Sequence, residues 1–251
     1  MLSTSVSYAP PLHTPMSHSR DFQLTGYANV PSIFTTGDIA EMQENVSRYL
    51  TDIAPGLTPP LAIPAPQKSE EAPTQFIFLG RMDLHDVFFE KLRLDPRLHA
   101  LAKDLLGTEV EAQHVQMLNI VPGICRATPP HQDAPIFSIE PNHAVTFWIP
   151  LSDVDVESGC LHYVPGSHWN GYLQHADSGT RRLVEDEKFK TKGVAMPVEK
   201  GGLVAHHCFT IHYSSENRSG ENRWALAIHF FPVGTRSFDE DEWIRRQKIS
   251  A

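Results

Sequence analysis

Cysteine is scarce in this chain: Cys125, Cys160 and Cys208 are the three present, and no C-x-x-C spacing joins them. An odd count without that spacing argues against a disulfide framework or a structural zinc site, and fits a reducing compartment. Long hydrophobic runs are missing too. Nowhere do 18 apolar residues follow one another, and the first residues show no basic segment leading into an apolar one. The expectation is a cytoplasmic protein without a membrane span. Basic charge is in deficit, with 21 Lys and Arg against 30 Asp and Glu and a formal net charge of −9. No basic stripe is available to neutralise phosphates, so nucleic acid is not an expected partner. Arg181-Arg182 and Arg245-Arg246 are isolated pairs and read as solvated surface.

What is present is ordinary globular material, 41% hydrophobic and 20% charged over 251 residues, enough for one domain with a substantial core. Residues 1–20 are rich in Ser, Pro and His without periodicity and read as a mobile arm, leaving 21–251 as a single domain. Phe22 to Ser32 reads as a short strand and turn. Ile39, Met42, Val46 and Leu50 recur at helical steps, with Thr35 or Thr36 as the cap. Pro55 to Pro73 holds six prolines and reads as a long loop. Gln75 to Leu79 reads as a strand, and Asp95-Pro96 through Gly107 as a capped helix. Strand-like runs follow at Glu109–Val121, His143–Leu151, Cys160–Val164, Gly202–Ala205 and Ala225–Phe231. Short strands after one or two helices predict an antiparallel sandwich or barrel with helices on one side. The polar segment 169–197 reads as an insertion, and its length and composition make it a lid candidate.

The chemistry is concentrated in a few residues. His131-Gln132-Asp133 lies near the middle of the chain, and His212 follows 79 residues after Asp133. A close His-x-Asp pair plus one distant His is the ligand set of a 2-His-1-carboxylate facial triad, which holds Fe(II) by one face and leaves positions open. In extended backbone, residues two apart share a face, so His131 and Asp133 are expected on a strand that Pro129-Pro130 introduces. Arg223, 11 residues past His212, is a natural bidentate partner for a dicarboxylate.

Further motifs stand in order: Trp148-Ile149-Pro150-Leu151, Glu157-Ser158-Gly159-Cys160-Leu161, Val164-Pro165-Gly166-Ser167-His168, His212-Tyr213-Ser214, Asn217-Arg218-Ser219 and Arg223-Trp224-Ala225-Leu226. Together with His131-Gln132-Asp133 they resemble the phytanoyl-CoA dioxygenase family of Fe(II)/2-oxoglutarate oxygenases, from about Phe22 to Phe231. The resemblance implies a mainly β double-stranded β-helix (jelly-roll, cupin-like) core with flanking N-terminal α-helices. It implies His131, Asp133 and His212 as iron ligands, and Arg223 with Ser214 on the distal carboxylate of 2-oxoglutarate. Gln116 and Trp148 match positions that line the cosubstrate pocket. On the early strand, where relatives carry a basic cosubstrate contact, this chain offers Arg81. The implied reaction consumes 2-oxoglutarate and O₂, releases succinate and CO₂, and oxidises a C–H bond. Halogenating relatives carry a small residue in place of the carboxylate, so Asp133 disfavours that outcome.

The remaining histidines are weighed by strand parity. His206 agrees with His212 and is assigned to the pocket, whereas His207 is not. His168 is read as a turn residue bonding to backbone, and Cys160 and Cys208 as small core residues. Phe137, Asn142 and His143 follow the triad on the substrate border, with Tyr213 facing them and Arg126 before it. That mixture predicts a small polar metabolite, hydroxylated, cyclised or desaturated in natural-product biosynthesis. No basic cluster is present for a coenzyme A tail. The alternative from another class is a non-catalytic jelly-roll that binds a small molecule and retains the triad. A cupin-type enzyme without 2-oxoglutarate ranks last, because it calls for H-x-H where this chain has Asp133.

Overall fold

Alternating side chains organise the molecule into layers. The computed structural model describes residues 18–66, 74–125, 127–176 and 182–249. The chain runs α1 (His18–Thr25), β1 (Tyr27–Val30), α2 (Thr36–Asp52), β2 (Ala62–Pro64), β3 (Phe76–Leu79), α3 (Met82–His85), α4 (Val87–Arg93) and α5 (Pro96–Leu106). Next come β4 (Val110–Ile120), α6 (Ala134–Phe137), β5 (Ile139–Glu140), β6 (Val145–Pro150), β7 (Leu161–Tyr163), α7 (Asp186–Lys190) and β8 (Val194–Met196). The last elements are β9 (Leu203–His207), β10 (His212–Ser214), β11 (Arg223–Pro232), β12 (Arg236–Ser237) and α8 (Glu240–Ile249). Seven strands form an antiparallel sheet in the order β1-β9-β6-β11-β4-β3-β2, and β10-β7-β8 form a second.

The period of two decides which face each residue serves. On β6, Val145, Phe147 and Ile149 join the core under the helices, while Trp148 joins a second cluster with Leu161 and Tyr163 of the smaller sheet. On β11, Leu226, Ile228 and Phe230 face the helices and Ala225 faces the other sheet. The result is a double-stranded β-helix, with a dry layer between sheet and helices and a site-bearing layer between the two sheets.

Helix α2 starts where a capping box closes it. Asp38 N–H donates to Thr35 Oγ1 at 3.1 Å and Thr35 N–H to Asp38 Oδ2 at 2.7 Å, a device worth roughly 1 kcal/mol. Its buried stripe is Ile39, Met42, Val46 and Tyr49. Asp95 caps α5 and Gly107 ends it in the left-handed region. Both helices follow their sequence signatures.

Several expectations change. Of the presumed arm, residues 1–17 lie outside the described residues, and His18 to Arg20 open α1. Phe22 is helical and buried rather than on a strand; only Tyr27–Val30 of that stretch pairs, with β9. The proline-rich stretch is not wholly loop: Ala62–Pro64 adds a strand to β3, and residues 67–73 lie outside the described residues. Between β3 and β4 stand three helices instead of one. In the charged segment 169–197, β8 belongs to the small sheet and residues 177–181 lie outside the described residues.

Helix α8 has no counterpart in the sequence reading. It is held by Trp243, which is fully buried and whose indole N–H lies 2.8 Å from both Ile139 O and Asn142 Oδ1. Trp243→Ala is expected to lower the unfolding free energy by about 3–5 kcal/mol. Urea denaturation checks this, and an unchanged midpoint would mean that α8 contributes no packing.

Candidate active site

The triad forms where a short irregular segment meets β10. His131 and His212 are joined by a two-way backbone bridge, each N–H donating to the other's carbonyl at 3.0 Å. Their rings lie 4.1 Å apart between centroids. Asp133 is not on a strand. Its backbone is helical (φ −78°, ψ −24°) at the start of α6, and this turn, not strand alternation, swings the carboxylate back beside the imidazoles. His131 Nε2 and His212 Nε2 stand 3.9 and 3.7 Å from Asp133 Oδ1. One ligand atom from each residue falls within 4.8 Å of the others, the spread that a single ion can bridge.

Neighbouring groups fix the orientation of all three. His131 Nδ1 is 2.9 Å from Pro129 O and His212 Nδ1 is 3.0 Å from Thr210 O. A carbonyl only accepts, so each Nδ1 carries the proton and each Nε2 presents a lone pair to the common point. Asp133 is served on its other oxygen: Thr146 Oγ1 donates to Oδ2 at 2.8 Å, and His206 Nε2 stands 3.1 Å from it. Behind these, Tyr163 Oη is 3.0 Å from His206 Nδ1, and His229 Nδ1 is 3.0 Å from Thr146 Oγ1. Oδ1 is left for an ion.

Electrostatics agree with that role. Burial pushes the His131 and His212 imidazoles down to about 4, with repulsion from a neighbouring histidine adding to it, so both are neutral at pH 7. Asp133 is also buried, yet the histidines around it hold its carboxyl well below the usual range, so it is ionised.

A cavity of about 630 Å³ extends from the triad between the sheets. Gln116, Trp148, Ser214, Arg223 and His206 all line it. Arg223 is 4% exposed and stacks over Trp148 with its guanidinium carbon 5.0 Å from the ring centre. Nη1 donates to Gly159 O at 3.0 Å. Gly159 sits at φ +81°, and a Cβ there would meet Ser215 O at 2.8 Å, which accounts for the glycine of the Glu157–Leu161 motif. No carboxylate of the described residues pairs with Arg223; its Nε and the Trp148 Nε1 are buried without partners. Burial lowers Arg223 to about 10, which still leaves it charged at neutral pH. A buried cation beside two orphaned N–H donors is a fit for an anionic ligand such as a carboxylate.

Other candidates lie elsewhere, and Arg126 lies outside the described residues. Phe137 lines a smaller adjoining cavity. Arg81 lies off both cavities, 3.4 Å from Asp83 through Nη2. Asn142 donates to Gln247 on α8. His143 lies beneath α5, 3.0 Å from Leu106 O. The Tyr213 hydroxyl donates to Lys190 O at 2.6 Å, because alternation turns it away while His212 and Ser214 face in. The sequence reading missed Thr146, Tyr163 and His229. Parity with Trp148 and Arg223 on their strands was the available signal for Thr146 and His229.

The chain resembles known proteins in sequence and in shape. The sequence model described as Phytanoyl-CoA dioxygenase (PhyH) matches residues 22–225. The mouse (Mus musculus) phytanoyl-CoA dioxygenase domain-containing protein 1 is 30% identical over 171 residues, covering 64% of this chain and 58% of that protein. Arabidopsis thaliana phytanoyl-CoA dioxygenase is 33% identical over 132 residues, covering 51% and 47%. The chain thus spans about half the length of these relatives. Among solved structures, the non-heme alpha ketoglutarate dependent carbocyclase SnoK from nogalamycin biosynthesis superposes at TM-score 0.74 with 22% identity, covering 93% of this chain and 90% of that one. EvdO2 from Micromonospora carbonacea var. aurantiaca, complexed with 2-oxoglutarate, gives 0.69 at 22%, covering 90% and 94%. These structural likenesses show the fold.

Two outcomes are expected. Thr146→Val keeps the shape but removes the donor to Asp133, and is expected to weaken divalent metal binding about 10- to 100-fold in a calorimetric titration. The metal-free protein should also lose stability as pH falls from 6.5 toward 4. His131 and His212 (about 4) and His207 and His229 (about 3) all titrate below their unfolded value. In that window the unfolded chain binds more protons, so stability rises with pH, at up to ~1.4 kcal/mol per pH unit for each histidine. Urea midpoints measured across the window check it; a flat profile would mean these imidazoles are solvated.

Proposed function

The chain belongs to the phytanoyl-CoA dioxygenase family, and on that premise we propose that it is an Fe(II)- and 2-oxoglutarate-dependent oxygenase acting on a small organic molecule. The observation that carries the reading is the pairing of two features in one cavity: three converging ligand atoms and a buried, uncompensated arginine. A non-catalytic binding module would have no use for that combination. When bound, iron with 2-oxoglutarate and O₂ supplies an oxidant for an unactivated C–H bond, and succinate and CO₂ leave.

The chain's own residues provide the rest. His131, Asp133 and His212 would hold the metal, and two neutral imidazoles with one carboxylate would leave it cationic enough to take an anionic cosubstrate. Arg223 anchors the far carboxylate, Trp148 supports the guanidinium by stacking, and the Ser214 hydroxyl and Gln116 border the same space. Ile77, Phe78, Leu118, Ile120 and Ile124 make the remaining wall apolar, which keeps water from the reacting atoms. With a carboxylate at position 133 among the residues that would hold the metal, oxidation without halogenation is favoured.

The finer reading is tailoring of a natural product by hydroxylation, ring closure or desaturation. Neighbours of the same fold described as an epimerase in complex with nogalamycin RO and as an alpha ketoglutarate dependent carbocyclase from nogalamycin biosynthesis support it. We place the protein in the cytoplasm as a single working domain, on its free cysteines and acidic balance. No described helix is long and apolar enough to cross a membrane.

Anaerobic titration with Fe(II) and 2-oxoglutarate tests the assignment. A weak visible charge-transfer band that needs both components and disappears in His212→Ala is the expected result. Its absence in the unaltered protein would remove the reading. Arg223→Ala should raise the 2-oxoglutarate concentration required for the band about 10- to 100-fold, matching a lost charge-assisted pair of roughly 1.5–3 kcal/mol.

A further inference from the structure

A second cavity, of about 190 Å³, adjoins the first at Asp133. The two share Gln116, Asp133, Ile136 and His229, but Arg223, Trp148 and Ser214 belong to the larger one alone. Arg223 and His229 both line the larger cavity and mark its extent along β11. They stand six residues apart, about 20 Å at a strand rise of ~3.3 Å per residue. A five-carbon diacid anchored at Arg223 is much shorter than that. The small cavity, which shares Asp133 with the larger one but not Arg223, is therefore left for a different molecule.

The sheet is deformed to build it. Ile228 pairs with Val115 and Phe230 with Ala112, so on β4 both Gln113 and His114 stand opposite the single residue His229. An unbroken strand would send one of two successive side chains toward the helices. This bulge lets Gln113 and His114 both line the cavity, and bulges of this kind recur beside active sites, where they re-aim side chains. The opposite wall is apolar, formed by Ile136, Phe137 and Phe231, with the Phe137 and Phe231 rings 5.1 Å apart.

No Lys or Arg lines the small cavity. Burial, helped by Arg81 nearby, lowers the His114 imidazole and keeps it neutral. A charged ligand group placed here would be stripped of water, and the single charge on the lining, the Asp133 carboxylate, is already engaged by Thr146 and His206 and is committed to the triad. A hydroxyl or carbonyl would find neutral donors and acceptors on one side and rings on the other.

We propose that this small cavity is the substrate subsite, and that it takes the uncharged hydroxyl or carbonyl end of a molecule whose frame is otherwise apolar. The inference rests on the oxygenase reading above and adds the chemical class of the substrate. It narrows the polar metabolite expected from sequence to one without charge at the reacting end.

The test uses the full chain loaded with Zn(II) and 2-oxoglutarate, so that the triad and Arg223 are occupied and no turnover occurs. Three probes of one frame, 2-naphthol, 2-naphthoate and 2-naphthylmethylammonium, are titrated by saturation-transfer NMR. Naphthol should bind at least tenfold more tightly than either ion. His114→Leu and the half-exposed Ile136→Glu should each weaken it at least fivefold. Equal or tighter binding of an ion, naphthol binding indifferent to both substitutions, or no saturable naphthol binding would overturn the proposal. The iron reading fails separately: a missing Fe(II)/2-oxoglutarate band with the naphthol preference intact strikes that reading and leaves the subsite's chemistry standing.

Discussion

The Asp133 carboxylate is the constraint around which the rest is arranged. It is ionised in the interior, where an unpaired charge is costly. Thr146 and His206 satisfy one of its oxygens from two adjacent strands of the large sheet. The other oxygen faces two imidazole lone pairs, an arrangement that repels itself until a cation enters. Rigid partners keep the three groups in this unfavourable approach: carbonyls behind each imidazole, Tyr163 behind His206 and His229 behind Thr146. The folded chain thus prepays the organisation of the metal site.

Gln132 extends that support to a part of the chain that read as a lid. Its side chain is fully buried between the two ligands that flank it. Nε2 donates to Gly171 O and Phe209 O, Oε1 accepts from Leu173 N–H, and its backbone N–H donates to His175 Nε2. Leu183 N–H bonds to Pro130 O on the same segment. None of the described residues from 169 to 197 lines either of the two cavities at the triad. This insertion braces the ligand-bearing turn from behind.

What the sequence revealed and what it hid divide along physical lines. Local signals were legible in the Thr35 cap of α2 and the Asp95 and Gly107 ends of α5, and the family resemblance placed Trp148 and Arg223 in the pocket. The triad itself was legible because few other functions need those residue types in that order. The reason given for His131 and Asp133 sharing a face did not hold, since Asp133 is in a helical turn. Arg81, Asn142, His143 and Tyr213 were near the site in sequence, but local geometry turned each aside. The bulge that faces His229 was invisible, because it depends on how β4 registers against a strand more than 100 residues later. Helix α8 was missed because one tryptophan, not an apolar stripe, attaches it.

The backbone bridge between His131 and His212 has a consequence for biosynthesis. It joins segments far apart in the chain, and β10, which carries the third ligand, also pairs with β7 and is followed by the arginine-bearing β11. During translation the His131–Asp133 pair leaves the ribosome well before its third partner exists. At that stage it is a two-ligand fragment with little power to discriminate among metals, whose intrinsic affinities follow the ligand chemistry and not the cell's need. Selectivity arrives only with the closing of the small sheet. A complete metal site is therefore coupled to completion of the fold, once His212 and β10 have joined the earlier pair.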